Sequence, residues 1–247
     1  MKTIRRFFVA GVIPMLCVFS STLIQYKIIF ALGGMVNHTL ALNMSVAEKE
    51  SRTRISSKNI SDFKGTCISS ESDIELYDNG PFAWSPAVEG GIVSTSLIGT
   101  LVGMILSLHI YTYLDARLVY SLSLILAGVL SIVTPFLALI GGPRGDYIIV
   151  AVAEFLECGL TALLSPMIPT VVNNWFLPSE HYIMSNIIWL GLDMARICYS
   201  LTGVIVDNFG WKLLFYVPGA FSLASESFYY VFITQDPADN LFLCTEE

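Results

Sequence analysis

The sequence predicts an all-α membrane protein, a bundle of six transmembrane helices. Three observations carry that prediction. First, only 13% of the 247 residues are charged, 54% are hydrophobic, and the mean hydropathy is +0.67. A soluble domain carries about 25% charged residues, so too little polar surface is left here to cover a particle in water. Second, six apolar stretches stand out: residues 7–32, 90–113, 118–140, 147–172, 182–206 and 213–233. Each is long enough, at a rise of about 1.5 Å per residue, to cross a hydrocarbon core of roughly 30 Å. Backbone groups in lipid must be satisfied within the segment, which makes these helices rather than strands. Third, most connections are short and punctuated, as at Asp115-Ala-Arg117, Gly141-Gly-Pro143, Pro178-Ser-Glu180 and Asp207-Asn-Phe-Gly210.

The first stretch has a rival reading as a signal peptide, because Lys2, Arg5 and Arg6 precede an apolar run. Residues 7–24 are uncharged throughout, which exceeds the usual apolar core of such a peptide, and no A-x-A cleavage site follows. A retained first helix over residues 7–36 is therefore expected. The same basic residues favour a cytoplasmic N-terminus at 1–6. Residues 37–89 form a polar, Ser-rich loop with no helical period and three N-x-S/T sequons, at Asn37, Asn43 and Asn59. Glycosylation occurs on the luminal or extracellular side, so the loop is expected there. Asn37 hugs the membrane and is the poorest acceptor. Helices two to six then occupy 90–233, and 234–247 return to the cytoplasm.

Composition also excludes functions. The net charge of −7 argues against nucleic acid as a partner, since phosphate contacts need clustered Lys and Arg. Cys17, Cys67, Cys158, Cys198 and Cys244 form no CxxC pair and no metal-ligand spacing, and four of them lie in or beside apolar segments. His38, His109 and His181 are scattered, and no P-loop, GxGxxG, HExxH or GxSxG is present. No enzyme, cofactor or metal is expected.

What remains is charge at membrane depth, where it is expensive and usually functional. Glu154 and Glu157 lie in the fourth stretch, three apart and on one helix face. They suit a proton or cation relay or a solute-facing pair; equally, they suit buried partners of a nearby cation. Asp193 and Arg196, in the fifth stretch, have the same spacing. The bland reading is a self-neutralising pair that lowers insertion cost; the sharper one is an arginine recognising an anion by forked hydrogen bonds. A third possibility pairs Glu154 with Arg196 across a helix contact. Lys27 reads as a side chain snorkelling to the interface, and Gln25 as a polar contact for solute or a neighbouring helix. Gly99 and Gly103 form a GxxxG that lets a neighbour approach closely. Pro166, Pro169 and Pro218 predict kinks.

Several segments together resemble one family. Trp84-Ser-Pro86 with Glu89-Gly90, Thr134-Pro135, Pro166 with Trp175, Pro178 and Glu180, then Ser185 and Gly191, follow its pattern. So do Gly210-Trp211, Phe215-Tyr216, Gly219 and Asp236-Pro237. The chain is similar to the sialin, vesicular glutamate transporter and type I sodium–phosphate cotransporter family of the major facilitator superfamily. The resemblance implies the N-terminal half of a major facilitator fold, in a plasma membrane or an endolysosomal or vesicular membrane. It also implies alternating-access transport of a small anionic solute, with sodium or a proton as coupling ion. Two departures stand out. The family's first-span arginine falls on Gln25, its fourth-span arginine on Glu154, and a nearby glutamate on Thr161. Also, the family has twelve spans with the solute site between two halves, whereas six apolar stretches are found here. A fragment, a truncated gene product, or a half that forms a homo-oligomer would each account for that. A membrane glycoprotein that transports nothing and serves as a scaffold is the reading from another class.

Overall fold

The structure, a computed structural model, describes residues 7–37, 80–140 and 147–233. Asn43, Asn59, the N-terminal residues 1–6 and the tail 234–247 lie outside the described residues. The described residues are almost entirely helical, and their one β feature is an isolated bridge between Val36 and Phe82. A short π-helical entry, Phe8–Val12, leads into α1 (Ile13–Met35). Pro14 has no N–H to continue the ladder, which fits a change of helical register at this point. Then follow α2 (Pro86–Tyr113), α3 (Ala116–Ile140), α4 (Tyr147–Ala162), α5 (Met167–Trp175), α6 (His181–Tyr199), α7 (Thr202–Phe209) and α8 (Leu213–Phe232).

The six apolar stretches are thus all helical, two of them broken. In the fourth, the ladder tightens at Leu163–Ser165, whose N–H groups reach back three residues to Leu160, Thr161 and Ala162. Pro166 follows, as expected of a residue that cannot continue a ladder. In the fifth, α6 and α7 meet at 51°. The Ser200 and Thr202 hydroxyls donate to Ile197 O and Tyr199 O at 2.7 Å each, back-bonding that competes with the helix ladder and bends it. Pro218 and Pro135, by contrast, sit within continuous helices.

By length and hydropathy, three helices can cross a membrane: Phe8–Met35, Pro86–Tyr113 and Ala116–Ile140. The bent pair of α6 and α7 makes a fourth. The expectation of six is therefore met in part. Helix α4 has 16 residues and ends at its break, and α8 carries Glu226 and three serines in its apolar run. The chain is a multi-pass integral membrane protein, consistent with the apolar residues that α2, α3 and α6 leave on their outer faces.

The main contacts are α2 on α4, α3 on α8, α1 on α6, α1 on α8, and α3 on α4. Exchanging the first three stretches for the last three maps this set onto itself, the relation that two nested three-helix repeats produce. Close approach depends on small residues. A Cβ on Gly99 or Gly103 would collide with the carbonyl oxygens of Phe155 and Gly159, and one on Gly191 with that of Met15. The GxxxG of the second stretch is therefore a packing seam. Serine hydroxyls tie the α3–α8 contact: Ser131 donates to Phe215 O at 3.1 Å and Ser222 to Leu124 O at 3.0 Å. Helices α1, α3, α4 and α8 thereby enclose a common interior, and Lys27, Glu154 and Glu157 lie inside it.

Candidate functional site

Lys27 on α1 is completely buried, as are Glu154 and Glu157 on α4. The lysine ammonium donates to Glu157 Oε2 and lies 3.4 Å from Glu154 Oε1. It also reaches Ile24 O at 3.4 Å and stands 5.2 Å from the centroid of the Phe215 ring on α8, a cation–π contact. Thr134 of α3 donates to Glu157 Oε1 at 2.8 Å, so both oxygens of that carboxylate are held. Glu154 differs: neither of its oxygens has a hydrogen-bond donor among the described residues. Four helices therefore converge on one cation and two carboxyl groups, closed off from any solvent. With both carboxyls ionised, the cluster carries a net charge of −1. One further monovalent cation would balance it.

This geometry corrects two readings of the sequence. Lys27 does not snorkel to the interface. Helix α1 runs on to Met35, which leaves Lys27 eight residues from its end, and its side chain turns inward. Nor do Glu154 and Arg196 pair across a helix contact. Glu154 faces Lys27, while Arg196 Nη1 donates to Asp193 Oδ1 at 3.3 Å within α6, both side chains being largely exposed. The reading of Asp193 and Arg196 as a pair along one helix matches this geometry, and so does that of the glutamates as partners of a nearby cation.

Gln25 lies apart from the charges but on the same α1–α4 contact, donating to Thr161 Oγ1 at 3.1 Å. Asn37 is buried, and its N–H donates to Phe82 O at 2.8 Å. Glu226 on α8 went unnoticed in the sequence. It is buried, and neither carboxyl oxygen has a hydrogen-bond donor among the described residues. The available signal was an acid inside an apolar helix, the same signal that picked out Glu154. A wholly apolar cleft between α1, the α6–α7 bend and α8, lined by Phe19, Leu23, Tyr199, Val217 and Phe221, offers nothing to a charged solute.

No protein-family model matches the chain. Curated relatives do. A Drosophila melanogaster protein named as an inorganic phosphate cotransporter is 24% identical over 225 residues, 87% of this chain and 42% of its own. Vesicular glutamate transporter 2.1 of Danio rerio is 25% identical over 175 residues, 70% of this chain and 29% of its own. Sodium-dependent phosphate transport protein 1 of Mus musculus is 25% identical over 185 residues, 73% of this chain and 38% of its own. The chain is a divergent relative of these carriers. It spans less than half the length of each. Gln25 and Thr161, on which the resemblance in sequence puts an arginine and a glutamate of the family, are hydrogen-bonded to each other. That pair is neutral, whereas the charges of the α1–α4 contact are Lys27, Glu154 and Glu157.

Proposed function

We propose that the chain forms one six-helix half of a secondary carrier for small anionic solutes, working by alternating access with a proton or sodium ion as the coupling cation. The observation that supports this beyond the relatives' names is the enclosed Lys27–Glu154–Glu157 cluster. Its odd charge calls for one monovalent cation, and intramembrane ionisable groups of this kind mark ion pathways. Alternating access needs a second six-helix unit, from a second copy or from further chain. The carrier is tested in proteoliposomes with imposed proton or sodium gradients and labelled phosphate, glutamate and urate. Gradient-driven uptake of at least one anion is expected, and Glu154→Gln should reduce the dependence on the gradient at least tenfold. Absence of flux for every anion under both gradients would favour the scaffold glycoprotein, a reading supported by the missing family arginines.

The same proposal sets the topology, with residues 1–6 and 234–247 cytoplasmic and the loop 37–89 luminal or extracellular. Glycosidase treatment of protein expressed in a glycosylating host should raise its electrophoretic mobility. Asn43→Gln with Asn59→Gln should abolish the shift, because buried Asn37 is a poor acceptor. A wild-type protein carrying no glycan in such a host would reverse the orientation.

A further inference from the structure

We propose that one flank of α6 is the solute-recognition surface, where the Arg196 guanidinium binds the carboxylate or phosphate group of a small anion. The inference rests on the carrier reading above. Helix α6 packs on its neighbours through Ile188, Gly191, Ala195 and Tyr199. At 3.6 residues per turn, its remaining surface divides into two flanks. One presents Ile183, Leu190, Met194 and Ile197, exposed and apolar as lipid requires. The other presents Tyr182, Asn186, Trp189, Asp193, Arg196 and, at the C-cap, Ser200, all exposed. From Asn186 to Ser200 this polar stripe runs about 21 Å along the axis, at 1.5 Å per residue. Such a stripe is costly against acyl chains and is expected to face a water-filled path or protein.

Arg196 is the cation on this stripe. Among the described residues, Lys27 and Arg196 are the cations well inside the apolar helices. Lys27 is enclosed and outnumbered by two carboxylates. Arg196 is 59% exposed, and its hydrogen bond among the described residues is the single 3.3 Å contact with Asp193. A guanidinium has five N–H donors in a planar fork, so most remain available for bidentate contact with an anion. Asp193 then acts as the resident counter-ion, competing with the arriving anion for the same arginine.

The test is anion binding to the purified full chain in nanodiscs. Inorganic phosphate, glutamate and urate are titrated against a chloride control. Trp189 is a built-in reporter, 45% exposed on the same stripe, whereas Trp84, Trp175 and Trp211 are buried. At least one anion should give a saturable change in fluorescence. Arg196→Gln should weaken that binding at least tenfold, and Arg196→Lys, which keeps charge but loses the fork, by less. Asp193→Asn should tighten it severalfold, an effect that a merely structural pair would not give. If the wild type binds and both Arg196→Gln and Asp193→Asn bind equally well, the inference falls while the carrier reading stands. If no anion exceeds chloride on the wild type, the inference and the anion-carrier reading fall together. Should Arg196→Gln fail to fold, Arg196→Lys and Asp193→Asn decide by the same criteria.

Discussion

Lys27→Met is expected to destabilise the protein by roughly 3–5 kcal/mol, the cost of removing one partner from a buried ion pair. The substitution leaves Glu154 and Glu157 enclosed on one face of α4 with no counter-charge. Each alternative change at the cluster should cost less. Glu154→Gln removes the surplus negative charge and, although it gives up the 3.4 Å ion pair with Lys27, leaves that lysine paired with Glu157, so its effect on stability should be small. Glu157→Gln lies between, since Glu157 takes hydrogen bonds from both Lys27 and Thr134. Combining Lys27→Met with both Gln changes should recover most of the loss, because neutral replacement of a whole buried ionic cluster is often tolerated. Thermal unfolding in detergent measures the series. Arg196→Gln is the comparison, since its exposed pair with Asp193 contributes little to stability. If Lys27→Met cost no more than Arg196→Gln, the cluster would not be the enclosed, interdependent unit described here.

That cluster also shows where the sequence was informative and where it was not. Hydrophobic length located every helical stretch to within a few residues, because the need to satisfy backbone groups in lipid leaves one solution. Pro166 marked the break in the fourth stretch by removing a donor. The bend in the fifth was not anticipated, because no proline marks it; the hydroxyls of Ser200 and Thr202 back-bond there instead. The depth of Lys27 was misjudged for a simple reason. Lys27 lies toward the end of the apolar run that stops at Leu32, from where a lysine can reach the interface. Hydropathy does not say which way a side chain turns, and α1 puts Lys27 on its buried face. A pattern within one helix fixes which residues share a face, and both i, i+3 pairs were legible that way. It does not fix which neighbour that face meets. Helix α6 turns Gly191 and Ala195 inward, so Arg196 points away from Glu154, and the counter-charge comes from α1 instead.

Gly103→Val is the second substitution with a large expected effect, and it acts through the contact between α2 and α4. The buried residues of α2 are Ile92, Ser96, Gly99, Gly103 and Ser107, a single seam at three- and four-residue spacing. A Cβ at Gly103 would overlap the Gly159 carbonyl oxygen and lie 2.9 Å from the Ala162 Cβ. Backbone atoms cannot swing aside as a flexible side chain does, so the two helices must separate along the seam. Overpacking in a well-packed core costs typically 1–3 kcal/mol, and a clash with backbone belongs at or above the top of that range. Gly91→Ala is the matched control, as the same helix has open space at Gly91 and alanine favours helix over glycine there. It should be neutral or slightly stabilising. Gly159 lies two residues beyond Glu157, so a displaced α4 also shifts the carboxylate that Lys27 and Thr134 hold. Gly103→Val should therefore lose part of its penalty in a background where Lys27→Met has already dismantled the cluster, whereas sites with no shared partners would add. A Gly103→Val protein as stable as Gly91→Ala would mean that α2 and α4 do not pack at this distance.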